Sequence, residues 1–126
     1  MYSLGKQEKL KSRKTIDALF AQRNSFFVFP IRVFWMTKDK NEFEVKAGFG
    51  CSKKYFKQAV YRNRAKRLMR EAYRTQKKFL YQAAEQNKKS AYLFFLFANR
   101  ELINFAQMQT AMAAALQRME KIISKP

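Results

Sequence analysis

Histidine is absent from this chain of 126 residues, and three other residue types are scarce: one cysteine, three glycines and two prolines. Without histidine, the lone Cys51 has no imidazole base to activate it, and a cysteine–histidine metal site cannot form. A single cysteine excludes an internal disulfide and suits a reducing compartment. Because no glycine-rich phosphate loop is present, we expect no dinucleotide ligand.

Acidic residues are also few: nine Asp and Glu stand against 27 Lys and Arg, which gives a formal net charge of +18. The acids are scattered, with no close group typical of a two-metal nuclease, so we expect no catalytic residue in the protein itself. No apolar run is long enough to cross a bilayer, and residues 1–12 lack the apolar core of a signal peptide. These features predict a cytoplasmic protein with a polyanionic partner.

The positive charge is concentrated in residues 52–78, which hold eleven basic residues and one acid, Glu71. From Tyr61 onward, apolar residues recur at spacings of three and four, which predicts an amphipathic helix. Like charges spaced four apart on a helix repel each other, and a face that serves only solubility normally includes acids. A solvated face is the usual explanation of a charge run, but here the single sign favours nucleic acid. The unbroken row consists of Arg62, Lys66, Arg70 and Arg74.

The order of residues in this stretch is more specific than its charge. Ser52-Lys53-Lys54 is followed by Ala59-Val60 and then by RNRAKRLMREAYR, residues 62–74. This order resembles the signature of the bacterial ribonuclease P protein component, in which a strand ends in serine and lysines and an Arg-Asn-Arg helix follows a short loop. The loop here, residues 55–58, looks one residue longer and lacks the family's usual glycine. The resemblance covers essentially residues 6–123.

Hydrophobic patterning predicts the remaining elements. Residues 1–12 read as a mobile basic arm, and Ser12 is a possible N-cap for the first helix. In the first strand, Phe27 and Val33 are predicted on one face, and Arg32 and Phe34 on the other. The predicted elements are a helix at 15–23, a strand at 25–38, a hairpin turn at 39–41, a strand at 43–53, a basic helix at 57–85, a polar loop at 86–89, a strand at 91–98, a connection at 99–105 and a helix at 106–123.

These elements predict one domain over residues 1–126 with an α+β fold, a two-layer sandwich in which helices pack on a mixed sheet of about three to four strands. General rules make a parallel β-α-β crossover right-handed. The resemblance instead implies a left-handed crossover between the second and third strands, as in domain 2 of a ribosomal protein.

The resemblance also implies a function: the protein subunit of the endoribonuclease ribonuclease P, a ribonucleoprotein that matures tRNA. In that enzyme the RNA subunit removes the 5′ leader of precursor tRNA by magnesium-dependent hydrolysis, and the protein binds ribonuclease P RNA and the leader. Magnesium is therefore expected mainly on the RNA, with no metal held by the protein alone. The implied contacts with the RNA subunit are Arg62, Asn63, Arg64, Lys66, Arg67, Arg70 and Arg74. The implied contacts with the leader are Ile16, Phe20, Arg32, Phe34, Lys53 and Lys54.

Other interpretations stay open at this point. Ile16 and Phe20 have similar weight as ordinary core residues, and Arg64 could belong to a structural ion pair. The main alternative function is a ribosome-associated or general structured-RNA-binding protein without a catalytic role. A weaker alternative is a basic helix on an anionic membrane, but arginine alternating with asparagine does not provide the Trp-rich apolar edge that such helices use. We therefore expect no membrane partner.

Overall fold

The computed structural model of the chain describes residues 9–10, 12–22, 24–39 and 44–125. The strands form one sheet in the order β1-β2-β4-β3, in which β4 is antiparallel to β2 and parallel to β3. The predicted α+β fold with a mixed sheet is thus confirmed. Its elements are α1 (Arg13–Gln22), β1 (Ser25–Val28), β2 (Ile31–Asp39), β3 (Val45–Cys51), α2 (Ala59–Arg74), α3 (Lys78–Gln86), β4 (Lys89–Phe97) and α4 (Phe105–Ser124).

Strand β4 is central because both of its faces are apolar. Leu93, Phe95 and Phe97 are fully buried in the main core, which α2, α3 and α4 cover. Tyr92 and Phe94 point to the opposite face, where α1 packs. A run with no polar alternation is what a strand covered on both faces requires. The sheet and three helices form the two predicted layers, and α1 adds a partial third.

The stretch predicted as one strand at 25–38 is a hairpin of β1 and β2. Phe26 lies opposite Val33, and Phe27 lies opposite Arg32, with Pro30 at the tip. Proline has no N–H for the ladder, so it suits the turn, where its carbonyl accepts a bond from the Ala98 N–H at 2.8 Å. The turn shifts the alternation by one residue. Phe27 therefore shares a face with Arg32, and its predicted placement with Val33 is wrong.

The hairpin turn predicted at 39–41 is also wrong, because β4 lies between β2 and β3. Residues 40–43 themselves lie outside the described residues. Neighbours in sequence often pair, but the doubly apolar β4 takes the position with a strand on each side. Strands β3 and β4 with α2 and α3 form the predicted parallel β-α-β unit. The left-handed crossover stays an expectation from the resemblance.

The basic helix predicted at 57–85 is two helices, α2 and α3, separated at residues 75–77. The Thr75 hydroxyl donates to the carbonyls of Glu71 and Ala72, both at 3.3 Å. The Gln76 side-chain amide donates to the Ala72 carbonyl and across to the Gln109 carbonyl of α4, both at 3.1 Å. Side chains that occupy the last carbonyls of a helix favour its end.

The segment before α1 is partly ordered by the sheet. Residues 1–8 and 11 of the predicted mobile arm lie outside the described residues. Lys9 forms a bridge with Ala47 of β3, and the Leu10 side chain is buried beside Leu19 of α1. Ser12 is confirmed as the cap of α1, since its hydroxyl oxygen accepts the Thr15 N–H at 3.3 Å. Lys9, Leu10 and Ser12, which were predicted to belong to the arm, are therefore part of the fold.

Candidate nucleic-acid interface

The basic residues of helix α2 face outward because its apolar stripe is buried in the core. Ala65, Met69, Ala72 and Tyr73 are all fully buried. At about 100° per residue, this stripe leaves the opposite arc to solvent. The predicted contacts Asn63, Arg64, Arg67 and Arg70 are exposed on that arc.

One flank of α2 runs beside strand β3, and we call Arg62, Lys66 and Arg70 the β3 flank. The Arg70 guanidinium lies 5.9 Å from the centre of the Phe49 ring. Burial raises the pKa of the Cys51 thiol, and the positive charges of Arg62 and Lys66 oppose that rise. These interactions place the three side chains along the same edge of the sheet.

Arg62 has a structural role that its predicted role did not include. Its Nη1 donates to the Phe56 carbonyl at 2.9 Å and to the Lys57 carbonyl at 2.6 Å. These bonds hold the loop between β3 and α2 against the first turn of the helix. Arg62 is half-buried and already engaged, and Lys66 is half-buried, so the exposed Arg70 presents the most accessible charge on this flank.

A groove lies on the other side of α2, where the start of α4 approaches it. It has a volume of about 690 Å³. Two of its apolar side chains are well exposed, Val60 at 65% and Phe105 at 39%. Residue spacing along α2 could not predict that Phe105 lines this groove, because α4 reaches the groove only through the tertiary fold. This α2–α4 groove is lined by Val60, Asn63, Arg64, Arg67, Leu68, Glu71 and Phe105.

The one acid of α2, Glu71, lies in this groove and binds Arg74. The Arg74 Nη2 donates to Glu71 Oε2 at 2.8 Å. That hydrogen bond lowers the pKa of Glu71, and the charges of Arg74, Arg67 and Arg70 lower it further. The predicted basic row therefore ends in an ion pair at Arg74, while α2 as a whole carries six basic residues against one acid.

The second candidate surface lies across the sheet, beside α1. Phe20 of α1 packs edge-on against Phe34 and Phe94, with ring centroids 4.7 and 5.4 Å apart. A Cβ atom built at Gly48 or Gly50 would come within 2.9 or 2.8 Å of the Phe94 ring. The glycines of β3 therefore make room for Phe94, which the prediction treated only as part of a covered strand.

The sheet register extends this aromatic group into a cleft. Gly50, Leu96 and Arg32 lie side by side across β3, β4 and β2, and Phe27 lies opposite Arg32. None of the four is fully buried. The Arg32 guanidinium lies 5.3 Å from the centre of the Phe27 ring. Together with Phe20, these residues form what we call the sheet cleft.

The other predicted leader contacts lie at the borders of this cleft. Ile16 is half-buried and packs on the cluster around Leu19, which agrees with a core role, and its contact with the leader stays a prediction. Lys53 and Lys54 are exposed in the turn after β3. The Lys54 backbone N–H donates to the Ser52 hydroxyl at 3.1 Å, which shapes that turn. The α2 surfaces and the sheet cleft lie on opposite faces of the sheet, with the edge strand β3 between them.

Two further searches concern the described residues only. No group of three or more histidine, cysteine, aspartate or glutamate side chains among them is placed to hold a metal ion. None of the helices in the same ranges has the length and hydropathy needed to cross a membrane.

Comparisons with known proteins agree on one family. The family model described as Ribonuclease P matches residues 4–120. The ribonuclease P protein component of Porphyromonas gingivalis is 33% identical over 119 residues, which cover 94% of this chain and 87% of that protein. That of Chlorobium phaeobacteroides is 37% identical over 91 residues, 68% of this chain and 62% of the relative. A solved structure of the Staphylococcus aureus RNase P protein, 17% identical, superposes with a TM-score of 0.62 over 94% of this chain and 99% of that one.

Proposed function

Since this chain belongs to the ribonuclease P protein family, we propose that it binds the catalytic RNA subunit of ribonuclease P and the 5′ leader of precursor tRNA. The observation that carries this proposal is the outward placement of six basic side chains against one acid on α2. Two separate surfaces, on opposite faces of the sheet, suit two different forms of RNA.

The α2 surfaces suit a folded RNA. A helix anchored by a buried stripe holds its outward side chains at fixed spacing, and arginine forks match pairs of phosphate oxygens. Asn63 adds an amide that both donates and accepts, so it can bond a base edge or a ribose hydroxyl. We assign Asn63, Lys66, Arg67 and Arg70 to the RNA subunit, with Arg62, Arg64 and Arg74 at the borders of the same surface.

The sheet cleft suits a single strand. Unpaired bases stack on exposed aromatic rings, and Phe20 and Phe27 are each about two-fifths exposed here. Arg32 and Leu96 lie between Phe27 and Gly50 in the sheet register. Lys53 and Lys54 are free of the core at the end of the sheet, where they would meet backbone phosphates. This arrangement favours a leader that crosses the sheet from the lysines toward α1.

Catalysis on this proposal belongs to the RNA. The described residues offer no cluster of oxygen donors that fits magnesium, so the metal that hydrolysis needs would be held by the RNA subunit. The protein would act by neutralising phosphates that otherwise repel each other, and by holding the leader. On this proposal the protein works in the cytoplasm, together with the two RNAs that it binds.

Reconstitution tests the proposal. Precursor tRNA and a ribonuclease P RNA are incubated at low magnesium with and without the protein, and 5′ cleavage is measured. The protein should increase cleavage, and the double variant Lys66→Ala/Arg70→Ala should lose most of the increase. The matched control is Lys121→Ala, an exposed lysine on α4. No increase with the wild-type protein would refute the proposal and leave the general RNA-binding alternative.

A second measurement with the reconstituted enzyme tests the assignment of Arg32 to the leader. Arg32→Ala should weaken binding of precursor tRNA to the reconstituted enzyme but leave binding of mature tRNA unchanged. An equal loss for both substrates would show that Arg32 does not contact the leader.

A further inference from the structure

The α2–α4 groove contains apolar surface that phosphate binding does not explain. Val60 and Phe105 expose 65% and 39% of their surface, and Leu68 between them is half-buried. Exposing an aromatic ring within a basic surface leaves apolar area in water without a benefit for ion pairing. Its presence beside arginines indicates a ligand with both a flat apolar face and an anionic backbone.

The backbone of Phe105 is fixed beside the groove, because Phe105 is the first residue of α4 and lies within a complete capping box. Asn104 Oδ1 accepts the Gln107 N–H at 2.8 Å, and Gln107 Oε1 accepts the Asn104 N–H at 3.1 Å. These reciprocal bonds fix the first turn of the helix. A ring on a fixed turn loses little conformational entropy when a second ring stacks on it.

The polar lining of the groove distinguishes a base from a phosphate. Arg64 and Arg67 provide cationic forks, whereas Glu71, whose pKa is lowered by its bond to Arg74, is ionised. An ionised carboxylate repels phosphate but accepts hydrogen bonds from the N–H groups of a base edge. Guanine presents two adjacent donors, N1–H and the 2-amino group, on its Watson–Crick edge, and they match the two oxygens of one carboxylate.

We propose that the α2–α4 groove binds one unpaired nucleobase of a structured RNA, with guanine preferred. The base stacks on Phe105, its edge faces Glu71, and Arg64 and Arg67 contact the flanking phosphates. The volume of about 690 Å³ is in the range of pockets that enclose small ligands. This inference rests on the proposed function, because it identifies which feature of an RNA this part of α2 reads.

The test compares two RNA hairpins of equal length, one with a single bulged guanosine and one fully paired, by fluorescence anisotropy at one salt concentration. Stacking of one base predicts that the wild-type protein binds the bulged hairpin roughly five- to hundredfold more tightly. Phe105→Ala should remove this preference, and Phe105→Leu should keep only part of it. Phe79→Ala is the matched control, because Phe79 of α3 is 64% exposed and lies outside the groove.

Base choice tests Glu71 separately. The ratio of affinities for bulged guanosine and bulged inosine, which lacks the 2-amino group, should exceed one for the wild-type protein. In Glu71→Gln it should fall toward one. Using a ratio cancels the change in net charge, which affects both RNAs equally. An unchanged ratio would overturn the guanine preference.

The outcomes also distinguish failure of this inference from failure of the proposed function on which it rests. Equal binding of both hairpins by the wild-type protein, or a preference that survives Phe105→Ala, overturns the base site but leaves RNA-subunit binding intact. Failure to bind either hairpin at low salt, together with no increase of cleavage in reconstitution, overturns both. Because Phe105→Ala removes no charge, the slope of affinity against salt should stay at the wild-type value.

Discussion

Gly48 provides a sharp test of how the sheet cleft is packed. A Cβ atom at this position would lie 2.9 Å from Phe94 Cδ2 and 3.2 Å from Phe94 Cε2, with the Cβ of Leu10 at 3.5 Å. Cδ2 is near the base of the ring, so a swing of the Phe94 side chain about its Cα–Cβ bond moves Cδ2 less than the Cζ tip. The ring also contacts Phe20, at 5.4 Å between centroids. Gly48→Ala must therefore displace Phe94, whereas the Leu10 Cβ at 3.5 Å is at an ordinary van der Waals distance.

The expected cost follows from two opposing effects. Overpacking a core position destabilises by about 1–3 kcal/mol. Replacing glycine within a strand recovers about 0.5–1 kcal/mol, because the unfolded alanine chain has less freedom to lose. We therefore expect Gly48→Ala to lower the free energy of unfolding by about 0–2.5 kcal/mol. Gly50→Ala should cost less, because its closest contact, at 2.8 Å, is Cζ at the movable tip of the same ring.

Chemical denaturation of a double-mutant cycle measures this effect. In a Phe94→Leu background the shorter side chain leaves space at Gly48, so the clash is relieved and the alanine should stabilise by about 0.5–1 kcal/mol. The coupling energy between the two sites should then equal the overpacking cost of about 1–3 kcal/mol, within the range for residues in contact. If Gly48→Ala costs the same with phenylalanine and with leucine at position 94, the close packing of ring and glycine is not what sets the cost.

Three further predictions concern the α2 surfaces, Cys51 of β3 and the first turn of α4. Arg67→Ala and Arg70→Ala should each weaken binding to ribonuclease P RNA and lower the slope of log affinity against log salt by about one; unchanged slopes in a salt titration would show that the side chains meet only solvent. Burial raises the pKa of the Cys51 thiol, so its alkylation rate should rise with pH at a higher midpoint in the folded than in the unfolded protein. The stability that the neutral Cys51 thiol contributes is present below its pKa in the unfolded chain and is lost as pH rises through its higher pKa in the folded protein. An alkylation midpoint in the folded protein at or below the midpoint in the unfolded protein would contradict this. Asn104→Ala removes the bond from the Gln107 N–H to Asn104 Oδ1 but keeps the backbone N–H that donates to Gln107 Oε1. It should cost about 1 kcal/mol in thermal or chemical unfolding, whereas Asn104→Ser should cost clearly less.

Local periodicity was enough to predict the surface of α2. The buried positions Ala65, Met69, Ala72 and Tyr73 repeat at helical spacing, and the outward direction of Arg67 follows from them. Where the helix ends was not predictable in this way. The break at residues 75–77 involves a bond from Gln76 to Gln109, which is 33 residues away in sequence.

Local periodicity predicted the sheet less completely than it predicted α2. Alternation correctly separates Phe34 from Val33, because both lie within one strand. It fails for Phe27, because a turn intervenes and shifts the alternation by one residue. The central place of β4 was not predicted either, since the order of strands depends on which strand has two apolar faces to cover.

The candidate site residues also differ in whether local spacing or a tertiary contact places them. Lys66 and Arg70 were predicted from spacing along one helix, and Phe20 was predicted from the resemblance to the family. Phe105 and Phe94 were missed, because each reaches its surface through a neighbouring element. A search for exposed aromatic residues at the first position of a capped helix would have marked Phe105, since Asn104 and Gln107 already predict the cap.

Strand β3 forms one border of the sheet, and the segment before α1 occupies part of that border. Lys9 bridges Ala47, and the Leu10 N–H donates to the Ala47 carbonyl at 3.0 Å. An open strand border is a template on which a second copy can add its own strand. We therefore expect the short bridge to hinder aggregation through this strand edge. Light scattering should detect aggregates of a chain that begins at Ser12 and lacks the bridge, and their absence would contradict this expectation.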